Sequence, residues 1–259
     1  MNSTRTTDLG WVTHNTILRG VVGSTVHGTS IASSSDRDEM AICIEPKEYL
    51  VGFKTFEQLI QRDKPDGVRS EPGDLDLTTY GLRKWCRLAL KGNPSILLLL
   101  FVPGPYLIER TPIGKELQEL FWAFASRQAI EPYLGFIRQQ RERLAGDRHG
   151  HIPVRPELVA KYGYDTKYAG HILRLGFQGV EYLTTGRLTL PMPEASRQCV
   201  LSVRRGEWPI EKVLTLAGEL EKDIEDLRTT APLPETPNTE LVESWMVETY
   251  EKTWTHRKP

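Results

Sequence analysis

Apolar positions recur with two different periods along the chain, and the change of period divides it. Residues 16–22 (TILRGVV) are β-branched and end at Gly23-Ser24, as a strand running into a tight turn does. A second apolar run at residues 39–44 follows a Ser/Thr/Gly-rich loop and reads as another strand. Residues 74–79 alternate polar and apolar, the pattern of a half-buried strand. Between these, residues 55–61 read as a short helix and the breaker-rich residues 62–73 as a loop. A helix is expected over residues 80–91. Gly92-Asn93-Pro94 stops it, and Pro94 suits the first turn of the next helix, which runs to about Phe101. Pro103-Gly104-Pro105 marks a candidate boundary.

Beyond that boundary the period is helical, with no convincing strand run. Residues 113–125, 128–144, 166–183, 195–204, 210–227 and 240–254 read as helices. Gly186 is placed to stop the third of them, and the Pro/Thr-rich residues 229–239 read as an exposed linker. The expected fold class is α+β, with an α/β domain over residues 1–105 followed by a helical domain over residues 106–259.

Composition narrows the function classes. With 259 residues, 39% of them apolar, the chain can bury a core, and a formal net charge of -1 excludes a chain-wide basic field for nucleic acid. Three scattered cysteines, Cys43, Cys86 and Cys199, make no zinc-ligand spacing and suit a reduced, cytosolic compartment. The polar start lacks the apolar core of a signal peptide, and the longest apolar run, residues 96–102, is too short to span a bilayer. A cytoplasmic protein with no membrane partner is expected.

The chemistry concentrates between Gly20 and Ile44. A strand ends in Gly23-Ser24, and after residues 25–35 comes Asp36-Arg37-Asp38 at the entry to the next strand. Two aspartates two apart on a strand point to one face, about 7 Å apart. They repel each other unless a cation lies between them, which makes them natural ligands for Mg²⁺ or Mn²⁺ holding a nucleoside triphosphate. Glycine permits close backbone approach to phosphate, and the Ser24 hydroxyl with the amides of the turn can hold the phosphate tail. A third carboxylate is expected from the strand at residues 74–79. Asp76, inside the strand, is favoured over Asp74 at its edge, to complete the metal site and draw the proton from an acceptor hydroxyl.

The Gly-Ser, the gap and the Asp-x-Asp resemble the signature of the DNA polymerase β-like nucleotidyltransferases. Three segments in order, GSTVHGTSIASSSDRDEM, DLTTYGLRKWCRLALKGNPS and KYAGHILRLGFQGVEYLTTG, are similar to a family of predicted nucleotidyltransferases of bacteria and phages, some of them associated with RNA ligases. The resemblance spans roughly residues 15–190. It implies a minimal palm with a mixed sheet, metal-binding aspartates and an NTP donor, with RNA or tRNA among the possible acceptors.

The helix expected over residues 166–183 adds an argument of its own. Lys167, His171, Arg174, Gln178 and Glu181 fall on one stripe, while its other faces are apolar. A buried basic stripe needs an anion, and a triphosphate would serve; internal pairing with Glu181 is the structural alternative. His27 and Thr29 are placed to touch substrate or shape the loop after Gly23-Ser24. Arg83 and Lys84 lie close in sequence to Asp76, and Arg138, Arg141 and Arg143 are a weaker candidate surface for an acceptor. The expected activity is transfer of an NMP group to a hydroxyl of an RNA end, a protein or a small molecule, with release of pyrophosphate. The rival is a catalytically silent nucleotide sensor or a phage–host interaction protein.

Overall fold

The computed structural model describes residues 10–31, 37–64, 73–145 and 155–256. The chain enters through helix α1 (Gly10–His14) and strand β1 (Thr16–Val21), which passes directly into α2 (Gly23–His27). Strand β2 (Arg37–Cys43) leads to α3 (Lys47–Leu50), and β3 (Gln58–Arg62) and β4 (Leu75–Gly81) follow. Next come α4 (Leu82–Leu90), α5 (Pro94–Leu97), a 3₁₀ turn and β5 (Leu107–Arg110). The five strands form one sheet in the order β3-β4-β2-β1-β5. Among the described residues β2 and β4 run parallel and the other neighbouring strands antiparallel. The fold is α+β with a mixed sheet, as expected. Asn93 caps α5 by accepting from the amides of Ser95 and Ile96, so the Gly-Asn-Pro stop acts as its residue types predict.

Two strands depart from the sequence reading. The helix expected over residues 55–61 is instead the run-up to β3, which pairs with β4 from Gln58 to Arg62. Its side chains are mostly exposed, so it shows no apolar alternation, and an edge strand needs only the backbone ladder of its one neighbour. β5 lies beyond the expected boundary, where no strand was foreseen, and closes the opposite edge against β1. At four residues it is too short to display a period.

The remaining helices are α6 (Pro112–Glu119), α7 (Phe121–Phe124), α8 (Ile130–Ala145), α9 (Pro156–Tyr162), α10 (Thr166–Thr185), α11 (Glu194–Arg204), α12 (Ile210–Thr230) and α13 (Thr239–His256). The helix expected over residues 113–125 is thus broken at Leu120, and α9 is additional. α10 is the central element, packed by α8, α11 and α12. Its close approach to α12 depends on Gly176, where a Cβ would stand 2.7 Å from Leu220 Cδ1. Asp165 caps its first turn by accepting from the amides of Lys167 and Tyr168, and Gly186 ends it. Among the described residues no helix is long and apolar enough to cross a membrane.

The last helix is fastened to the sheet by a buried carboxylate. Glu45, just past β2 and 1% exposed, accepts from Tyr250 Oη at 2.6 Å and from the Leu82 amide at 3.0 Å. Tyr250 Oη in turn accepts from the Arg83 amide, and Trp254 Nε1 donates to the Glu45 carbonyl. Burial raises the Glu45 carboxyl above its usual range, and the Tyr250 hydroxyl opposes that shift. Tyr250→Phe removes both hydroxyl bonds from a buried site. It is expected to cost about 1–3 kcal/mol in urea denaturation; an unchanged midpoint would show that α13 is held by packing alone.

Candidate active site

β1 and β2 bring the Gly-Ser turn against an aspartate. The β1–β2 ladder continues through the Val22 amide, which donates to the Asp38 carbonyl at 2.8 Å. This holds Gly23 (φ +65°) directly over the Asp38 side chain, where a Cβ would lie 2.1 Å from Asp38 Oδ2. Glycine is therefore required twice, by its left-handed backbone and by the space the carboxylate occupies. Ser24 follows on the first turn of α2, its hydroxyl accepting from Ser30 Oγ at 3.2 Å. The opposite face of β2 carries Glu39, 2% exposed and clamped by Arg19 and Arg37, each with a 2.6 Å bond from its Nε. That buried ion pair ties the first two strands together and leaves the Asp38 face for other work.

β4 supplies the second carboxylate. In the parallel β2–β4 pair Asp38 is opposite Asp76, so the two side chains share a face on strands about 4.8 Å apart. Asp76, not Asp74, holds this register. Asp76 accepts from Arg62 Nε at 3.1 Å, in a pair whose side chains are 34% and 41% exposed. Asp74 lies within 4.0 Å of Lys64. Asp36 lies outside the described residues. Among the described residues, no group of three or more His, Cys, Asp and Glu side chains is arranged to hold a metal.

Facing Asp38 is the polar stripe of α10. A cleft of about 180 Å³ is lined by Gly23, Ser24, His27, Thr29 and Asp38 from the first part of the chain, and by Lys167, His171 and Arg174 from α10. Arg174 is held from three sides. Its Nη1 donates to Gln178 Oε1 at 2.7 Å and to His27 Nε2 at 3.1 Å, and its Nη2 donates to His171 Nε2 at 2.7 Å. None of these acceptors is a carboxylate. Glu181, on the same stripe, instead accepts from the Thr189 amide. The structural alternative of an internal ion pair is therefore not what Arg174 makes.

Electrostatics follow from that arrangement. Desolvation pushes the Arg174 guanidinium down to about 10, and it still remains charged at neutral pH. His27 is buried, and burial lowers its pKa well below the usual value, with Arg174 and His171 adding to the shift. Gln178 turns its carbonyl to Arg174 and its side-chain nitrogen lies 3.2 Å from His27 Nδ1, so the ring is contacted at both nitrogens. The guanidinium can only donate, so His27 Nε2 must be its acceptor; an imidazolium would set an N–H against Arg174. The α10 wall of the cleft is consequently rich in cationic donors, and it stands opposite the Asp38 carboxylate.

Of the residues singled out by sequence, Gly23, Ser24, Asp38, Lys167, His171 and Arg174 converge on this cleft, and Asp76 stands one strand away. His27 and Thr29 also line it. Arg83 and Lys84 do not; Lys84 pairs with Glu57, and Arg141 with Glu221 on α12. Sequence reasoning missed Arg204, which reaches the cleft from α11, and the support Gln178 gives to His27. The signal for Arg204 was a glycine, Gly170, interrupting the polar stripe of α10.

Residues 7–248 match the family described as the RNA repair pathway DNA polymerase beta family. No curated protein matches the chain. Among solved structures, a nucleotidyltransferase-like protein from Exiguobacterium sibiricum is 13% identical, with a TM-score of 0.31 over 96% of this chain and 79% of that one.

His27 gives the site a pH signature. Its folded pKa lies below the unfolded value of 6.5, so the unfolded chain binds the extra proton first and stability falls as pH drops below about 6.5. Melting curves between pH 8 and pH 5 should show the wild type losing more stability on acidification than His27→Gln. Parallel losses would mean that His27 is not the group responsible.

Proposed function

The chain belongs to the RNA repair pathway DNA polymerase beta family, and we propose that it transfers an NMP group from a nucleoside triphosphate to a hydroxyl of an RNA end, releasing pyrophosphate. The observation that carries this reading is the single cleft in which Asp38 and the Gly23-Ser24 turn face Lys167, His171 and Arg174. The RNA acceptor is drawn from the repair pathway named in the family's description.

Asp38 and Asp76 fit a hard divalent cation. They offer oxygen donors from adjacent strands on one face, and the absent Cβ of Gly23 leaves the Asp38 oxygen accessible. Asp36 would add a third donor. The Arg62–Asp76 pair is a half-exposed ion pair worth about 0–1 kcal/mol, so Asp76 can exchange it for a stronger ligand at little cost. Bound there, Mg²⁺ or Mn²⁺ would neutralise phosphate charge and polarise the reacting phosphorus–oxygen bonds. Ser24 and its neighbouring amides hold the β- and γ-phosphates, while Lys167, His171 and Arg174 counter charge on the departing pyrophosphate. Arg174 is prepared for that task because His27, His171 and Gln178 fix its orientation without neutralising it. Asp76 orients the acceptor hydroxyl and takes its proton.

The test is incubation with each labelled NTP, Mg²⁺ or Mn²⁺, and RNA ending in a free 3′ hydroxyl, reading labelled RNA and pyrophosphate. Asp38→Asn should lower both by at least roughly a hundredfold while circular dichroism stays unchanged. Transfer at the wild-type rate by that variant would sink the assignment. Wild-type nucleotide binding without label or pyrophosphate would point to a nucleotide sensor instead.

A further inference from the structure

The α10 face that looks into the cleft has a break in it. Lys167, Gly170, His171 and Arg174 are spaced i, i+3, i+4 and i+7, and all four line the cleft. Three of them present polar or charged side chains, and Gly170 presents none. Into that gap comes Arg204, from the last turn of α11, and it too lines the cleft. A Cβ on Gly170 would stand 2.6 Å from Arg204 Cγ, so the arginine stem crosses α10 only because residue 170 has no side chain.

We propose that Arg204 is a phosphate-binding residue of the nucleotide site, delivered by α11 through the gap at Gly170 to complete the cationic row of α10. This rests on the triphosphate reading of the same cleft and extends it to a residue outside the clearest sequence resemblance. The guanidinium has five N–H donors, and among the described residues its hydrogen bond goes to the Thr29 carbonyl, from Nη1. That acceptor is a backbone carbonyl and not a carboxylate. Its surroundings disfavour the charge, since desolvation and the nearby Arg155 both lower its pKa. A charged group kept under that penalty beside Lys167 and Arg174 is offset when a polyanion enters, and a guanidinium suits phosphate oxygens in geometry as well as charge. Its bond to Thr29 also steadies the segment after α2, so one side chain joins the turn that carries Ser24 to the helix that carries Arg174.

The probe is inorganic tripolyphosphate with Mg²⁺, which every NTP donor shares in chemistry, followed by the four NTPs, measured by titration calorimetry on the full chain. Arg204→Gln should weaken tripolyphosphate and all four NTPs by roughly tenfold or more, the loss of a hydrogen bond to a charged group. Gly170→Ala leaves every charge in place but obstructs the Arg204 stem, and it should weaken binding in the same direction. Arg205→Gln removes a neighbouring arginine that pairs with Glu207 on the surface and should leave affinity unchanged. Wild-type affinity in both Arg204→Gln and Gly170→Ala, with the wild type binding normally, would overturn the role of Arg204 alone. Failure of the wild type itself to bind tripolyphosphate or any NTP would overturn the triphosphate reading beneath it.

Discussion

Arg174 carries a full charge at the centre of the helical region, and its hydrogen bonds go to two imidazoles and an amide. His27, His171 and Gln178 accept its hydrogen bonds, and none of these acceptors is a carboxylate. Removing a guanidinium from water is expensive unless the lost hydration is replaced. Here it is replaced by His27, His171 and Gln178, which fix the direction of the guanidinium without forming an ion pair with it. Much of the surrounding design serves this arrangement. α10 is packed by three helices, so its one polar stripe can face only the cleft, and α2 brings His27 beneath the same guanidinium.

The opposite wall obeys a complementary constraint. Gly23 touches the Asp38 carboxylate so closely that no other residue fits, and the parallel register of β2 and β4 brings Asp76 alongside. Negative oxygens thus stand on the sheet and cationic donors on the helix, across a cleft about 180 Å³ in volume. A magnesium-bound triphosphate has this same division, with cation on one side and anionic oxygens on the other. The complementarity connects the fold to the proposed activity, because the strands that carry the aspartates and α10 come from distant parts of the chain.

Much of this was legible in the sequence where burial imposes a period. α10 has apolar faces on several sides and one polar stripe, and its ends carry Asp165 and Gly186, so its span was readable almost to the residue. Gly23-Ser24 and Asp38 were legible because close packing permits few residue types there. β3 and β5 were not, since an edge strand is held by backbone bonds that leave no mark on side-chain choice. Arg204 was hidden for a different reason. Its place depends on how α11 crosses α10, a tertiary fact announced only by the glycine at 170. The Arg62–Asp76 pair likewise arises from the pairing of β3 with β4.

On this reading a divalent cation and a triphosphate are held between the aspartates of the sheet and the cationic row of α10. Its most direct test is a crystal structure with Mn²⁺ and a non-hydrolysable NTP, using the anomalous scattering of manganese. The expected result is a manganese peak at Asp38 and Asp76, with the phosphates on the side of Lys167 and Arg174. A bound nucleotide elsewhere, or manganese away from both aspartates, would contradict it.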